Sequence, residues 1–191
     1  MKKSITFRLC SIALLSALSI VCNMYSITVT PDISISFTYI IAFLSGVFLG
    51  PIEGFAVGAI GDGIGCIIAP KGPYAVTVTI SSALMGVLFW IIFRYLKRIP
   101  VYFRIILGYV LVFFVCSVLI NTTTWYFMYS SKSNYFVYLF SRNVFQLIVV
   151  AVNCALTCVL YRPLGKVMSN FGFQEYNQKG EKKVDKSTKV D

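Results

Sequence analysis

The chain has 191 residues, of which 58% are hydrophobic and only 13% charged, and its formal net charge is +10. A soluble domain carries about 45–50% apolar and about 25% charged residues, so a soluble catalytic module is excluded and a polytopic membrane protein is implied. The Lys and Arg residues gather at the ends of apolar stretches and form no basic face with interleaved aromatics, which argues against nucleic acid as a partner.

A span needs roughly 20 apolar residues, so the apolar part, residues 5–165, has room for six helices joined by short turns. The first is expected over 5–25. Lys2 and Lys3 before an apolar run look superficially like a signal peptide, but no small-x-small cleavage site follows, so the segment is read as a retained helix. Within it, Ala13 and Ala17 form a small-xxx-small pair, whose residue types alone suit packing against another helix of the same protein. Residues 26–35 read as a polar connection.

The second and third helices are expected over 36–50 and 51–69. They meet at Gly50-Pro51, where proline suits the first turn of a helix and Glu53 falls where the helix dipole favours negative charge. Gly46, Gly50, Gly54 and Gly58 recur every four residues, a spacing that stacks small residues on one helix face and lets backbones approach. A Pro/Gly turn, Ala69 to Tyr74, precedes a fourth helix over 75–96. The fifth is expected over 102–125 and the sixth over 136–161. A domain of residues 1–173 is followed by a polar tail, 174–191, in which Lys alternates with Glu and Asp; it reads as a disordered cytoplasmic extension.

Fourteen of the 17 Lys and Arg residues fall on one side of this arrangement, only Lys71 and Lys132 fall on the other, and Arg142 lies within a span. By the positive-inside rule both termini are cytoplasmic. The six cysteines all lie in apolar stretches and read as small packing residues. The chain has no histidine, which removes His-based triads and His metal sites.

Charged groups inside spans are costly and point to function. Asp62 is expected roughly 16 Å into the third helix, and Arg142 roughly 9 Å below the outer end of the sixth. Asn121, Thr122 and Trp125 fall at a depth similar to that of Arg142. A guanidinium beside Asn, Thr and Trp suits a pocket for an anionic, planar solute. Blander roles stay open: Trp125 and Tyr126 suit an interfacial aromatic belt, Asn121 an interhelical hydrogen bond, and Asp62 a pairing with Arg142 or a helix backbone. No GxxxxGK[ST] sequence occurs, and the chain lacks both a second acid suited to a proton relay and an inverted three-helix repeat. An outward-facing binder without an engine needs partners.

With these residues in place, the chain resembles the substrate-binding S components of energy-coupling factor (ECF) vitamin transporters, and most of all their folate-specific branch. The resemblance rests on Ala13-x-x-x-Ala17; Phe48-Leu-Gly50-Pro51-Ile-Glu-Gly54; Gly58-x-x-Gly61-Asp62; Gly72-Pro73-Tyr74; Leu119-Ile-Asn121-Thr122; and Arg142-x-x-x-Gln146. It covers nearly all of residues 5–165. One departure is the run Asn121-Thr-Thr-Thr-Trp125, in which the tryptophan stands one position later than in that branch, about 100° around a helix.

The resemblance implies an all-α bundle of six transmembrane helices in the cell membrane. It implies an outward folate site and an EcfT-type subunit docking at Ala13 and Ala17. Two ATPase subunits supply the energy, and delivery occurs by reorientation in the bilayer. For folate, it implies that Arg142 takes a carboxylate or the pterin carbonyl, and that Asn121 and Thr122 bond the pterin edge. Trp125, Tyr39 or Tyr74 would stack on a ring, Asp62 would accept from pterin N–H groups, and Gln146 would complete the set. No enzyme activity and no cofactor is expected. An S component for another vitamin or precursor, or a free-standing secondary transporter, remains open at this stage.

Overall fold

The computed structural model describes residues 5–30, 33–70, 73–129 and 134–170. Lys71, Gly72, Lys132 and the 174–191 tail lie outside the described residues.

Six helical rods are present among the described residues. Helix α1 runs Ile5–Met24, and α2 runs Thr38–Leu44 and continues as a π-helical turn, Ser45–Leu49. Helix α3 spans Pro51–Ile68, and α4 spans Val76–Tyr95. Helix α5, Val101–Val112, passes through a second π segment, Phe113–Asn121, directly into α6, Thr122–Tyr129. Helix α7 runs Tyr135–Asn170 and contains Pro163, well beyond the end expected near residue 161.

One expectation needs correcting. Residues 27–35 are not a plain polar connection. Strands β1, Ile27–Thr30, and β2, Ile33–Ile35, pair as an antiparallel hairpin with an irregularity between Thr28 and Thr30. The run Ile-Thr-Val-Thr is rich in β-branched residues, which stiffen an extended backbone. The six expected rods are all present, and they differ in length. Among the described residues, four helical stretches, at Pro51–Ile68, Val76–Tyr95, Val101–Met128 and Tyr135–Gly165, are long and apolar enough to cross a membrane, whereas Arg8–Met24 and Thr38–Leu49 are shorter. Twelve helical residues reach only about 18 Å, against a hydrocarbon core of roughly 30 Å.

The turn between the second and third rods is as tight as the sequence implies. Gly50 has φ +132°, a conformation that favours glycine, and Pro51 starts α3 directly after it. The buried Glu53 carboxylate lies at this turn and accepts a hydrogen bond from Arg8 of α1. The first rod is thereby tied to the hairpin at this end.

Above the turn, three rods touch through their backbones. A Cβ on Gly46 would stand 2.1 Å from the Gly86 carbonyl oxygen, and one on Gly86 would stand 2.7 Å from the Gly54 backbone. Further along the same face of α3, Gly61 and Gly65 receive Ser19 and Asn23 of α1. Aromatic rings fill the remaining core. Phe43 packs edge-on to Phe89 and Phe93, with centroids 5.3 Å away in both pairs, and Phe89 packs on Tyr109 at 5.0 Å. Arg104 is buried and donates to the carbonyls of Lys97 and Ile99, each at 2.7 Å, so it caps the α4–α5 turn from inside.

Gly86→Ala is expected to lower the unfolding free energy by about 1–3 kcal/mol, since the backbones must part. Gly165→Ala, with nothing within 4 Å of its added methyl group, is expected to be neutral. Thermal unfolding of the two variants in detergent checks the contrast.

Candidate functional site

Helix α7 carries a line of buried polar side chains at helical spacing: Arg142, Gln146, Asn153 and Thr157. Steps of four and seven residues return to one helix face, so the line faces the bundle interior. Each member meets a different neighbour. Arg142 Nη1 donates to Thr122 Oγ1 at 2.7 Å. Gln146 Nε2 donates to the Tyr39 hydroxyl at 2.8 Å. Asn153 Nδ2 donates to the Ser36 carbonyl at 3.1 Å, and Thr157 shares a 2.6 Å bond with Tyr109.

The Arg142 end is held from two sides. Thr122 Oγ1 lies within 2.8 Å of the Ser117 carbonyl, which anchors the hydroxyl that receives the guanidinium. Tyr39 stands on the first turn of α2 and is itself 5% exposed, as is Arg142. The Tyr39 hydroxyl lies close to Arg142 and Ser117 as well as to Gln146. Asn121, one residue before Thr122, keeps a buried Oδ1 that has no hydrogen-bond partner. Trp125 is half-buried on α6 and lies three residues beyond Thr122, on a neighbouring part of the same face.

Asp62 forms a second cluster on the other side of α2. Thr79 donates to Asp62 Oδ2 at 2.8 Å, and Asn23 Nδ2 donates to Oδ1 at 3.3 Å. Thr79 Oγ1 also lies 2.9 Å from the hydroxyl of Tyr74, an exposed residue. A cavity of about 20 Å³ adjoins Asp62, lined by Ser19, Asn23, Thr38, Ser82 and Met85 among others. That is room for about one water. Asp62 lies six residues from the end of α3 at Ile68, about 9 Å by helical rise.

The two clusters are neighbours across one helix. Thr38 lines the Asp62 cavity, while Tyr39 bonds Gln146. Successive helical positions point about 100° apart, so the start of α2 forms a wall with one cluster on each side. Thr124 Oγ1 donates to Thr77 Oγ1 at 3.0 Å, joining α6 to α4 across the same end. Of the eight sequence-predicted residues, Arg142, Thr122, Tyr39 and Gln146 therefore fall together, Asn121 and Trp125 stand within three positions of Thr122 on the same rod, and Asp62 groups with Tyr74 through Thr79.

Sequence reasoning missed Ser19, Asn23, Thr79, Ser117 and Asn153. Ser19 and Asn23 were legible in principle, since their spacing of four matches that of Gly61 and Gly65 opposite them. Asn153 continues the spacing that links Arg142 to Gln146.

Ala13 and Ala17 lie elsewhere. Both are exposed on α1, whereas Leu15, Ser16 and Ser19 face inward. Internal packing, the reading their types alone favoured, does not hold among the described residues.

The ECF transporter, substrate-specific component family matches residues 7–161. The chain belongs to this family. Membership makes it an integral membrane component of a transporter rather than an enzyme. A curated relative, the folate transporter FolT of Clostridium novyi (strain NT), is 36% identical over 89 residues, which are 47% of this chain and 51% of that protein. The match thus spans about half the length of the relative. Among solved structures, FolT bound with folic acid shares the fold, with a TM-score of 0.67 and 24% identity over 78% of this chain and 89% of that one.

Thr122→Val removes an acceptor of a buried guanidinium, and is expected to lower stability by about 1.5–3 kcal/mol. Ser141→Ala, at an exposed position of the same helix, serves as the neutral comparison in the same thermal unfolding measurement.

Proposed function

We propose that the chain captures folate at the outer face of the prokaryotic cell membrane. It passes folate inward as the substrate-binding subunit of an ECF importer, with an EcfT-type transmembrane subunit and two ATPase subunits supplying the energy. The observation that carries the reading is the buried Arg142 guanidinium, held by Thr122 and close to the Tyr39–Gln146 pair at the meeting of α2, α6 and α7. A buried cation beside neutral hydrogen-bonding groups suits a ligand with carbonyl or carboxylate oxygens and a polar planar ring. Similarity to a folate transporter over 89 residues supports the choice of vitamin.

In this reading Arg142 bonds a ligand oxygen, Asn121 and Thr122 bond the pterin edge, and Gln146 orients against Tyr39. Trp125, Tyr39 or Tyr74 supplies ring contact. Asp62 accepts from ligand N–H groups on the other side of α2. Both termini are cytoplasmic, by the placement of Lys and Arg. The exposed Ala13 and Ala17 offer a flat strip on α1 to the EcfT-type subunit, and delivery follows by reorientation of the subunit in the bilayer.

Titration calorimetry of the purified protein in detergent tests the substrate, with riboflavin, thiamine and pantothenate as controls. Tight binding of folate alone, without ATP or partner, is expected. Tight binding of a control instead keeps the scaffold and replaces the vitamin. Arg142→Ala is expected to weaken folate roughly 10- to 100-fold; wild-type affinity in that variant would sink its role. Ala13→Trp and Ala17→Trp are expected to abolish uptake by cells while leaving folate binding by the purified protein intact.

A further inference from the structure

Two buried polar atoms on the rod that carries Thr122 have no hydrogen-bond partner: Ser117 Oγ and Asn121 Oδ1. Ser117 is fully buried. Both residues stand on the second π segment, four positions apart. Native structures leave few such atoms unmet, and each one calls for an explanation. Here the surroundings supply it, because Ser117 lies beside the Tyr39 hydroxyl, which in turn accepts from Gln146 and lies near Arg142.

The π winding is what gathers these groups. A π segment closes each turn on the fifth residue onward. Thr122 shows the result, because its hydroxyl reaches the carbonyl of Ser117, five residues earlier. In an α-helix a step of five residues turns about 140° away from the starting face. The wider turn brings Ser117, Asn121 and Thr122 together. Across from them α7 presents donors, the Arg142 guanidinium and the Gln146 amide. The π segment presents Asn121 Oδ1, which only accepts, and Ser117 Oγ, which accepts or donates.

We infer that Ser117 is a further recognition residue, forming with Asn121 an acceptor edge for adjacent N–H donors on a planar heterocycle whose oxygen faces Arg142. The inference rests on the folate reading above and names the part of the ligand that is read. The 2-amino-4-oxo ring of a pterin has this pattern, an amino group and ring N–H next to a carbonyl. The 4-amino analogue of folate lacks both the ring N–H and the carbonyl. The site therefore discriminates between the two, and Ser117 contributes to the discrimination.

The test is calorimetric binding of folate and of its 4-amino analogue to wild type, Ser117→Ala and Asn121→Ala, with thermal unfolding of each ligand-free protein. Removing an unmet hydroxyl leaves the ligand-free Ser117→Ala protein as stable as wild type or more so. Its folate affinity falls roughly five- to tenfold. The 4-amino analogue loses less, so the preference for folate shrinks. Asn121→Ala moves the preference in the same direction. Wild-type folate affinity in Ser117→Ala overturns the inference and leaves the folate reading standing. So does an equal loss for both ligands, or a lower melting temperature of the ligand-free variant, which marks a structural hydroxyl. A wild-type protein that does not bind folate overturns the folate reading and this inference with it.

Discussion

Backbone contact among three helices at Gly46, Gly54 and Gly86 is the constraint on which the rest of the bundle depends. At these points no side chain separates the rods, and the space a single methyl group would need is already occupied by backbone atoms. Inside a membrane, water expulsion does not drive helices together, so close packing of this kind carries much of the association. The contact needs α2 to return immediately into α3, and Gly50 with its positive φ permits that return. Glu53, at the base of the turn, ties in α1 through Arg8. Four rods are thus gathered around one short hairpin.

That hairpin also explains the site. Its first arm is short, so α2 begins well inside the bundle rather than at its edge. The first turn of α2 becomes a wall, with Thr38 toward the Asp62 cavity and Tyr39 toward Gln146. A longer second helix would carry these residues away from both clusters. The Asp62 group then lies within α1 to α4, and the Arg142 group lies where α2 meets the α6–α7 pair. The line of polar residues on α7 gives that helix directional hydrogen bonds where α1 to α4 have glycine contacts. A ligand exchanged into these bonds would act on the α2–α6–α7 junction and leave the glycine contacts in place.

The π segment in the fifth rod has the same logic on a smaller scale. An α-helix through Ser117 and Thr122 would point these two side chains in different directions. The wider turn aligns them, at the cost of leaving Ser117 Oγ and Asn121 Oδ1 buried without partners. A stored deficit of this kind is typical of places where a protein departs from regular structure to do something other than fold.

The sequence by itself determined the membrane class, the number of rods, their approximate ends and the Gly50-Pro51 turn. These follow from composition, hydrophobic length and the conformational limits of glycine and proline, all of which act locally along the chain. It also singled out Arg142, Thr122, Gln146 and Asp62, because polar groups in apolar runs stand out without any knowledge of contacts. Only the tertiary structure decided which of them meet. It put Asp62 with Thr79 and Asn23 and placed Arg142 on Thr122. It turned Ala13 and Ala17 outward, wound residues 113–121 as a π-helix, and closed residues 27–35 into a hairpin. The physical reason is that partners such as Gln146 and Tyr39 are 107 positions apart. Which of several polar groups pair is settled by how closely the backbones approach, and that distance is set at the glycines of other helices.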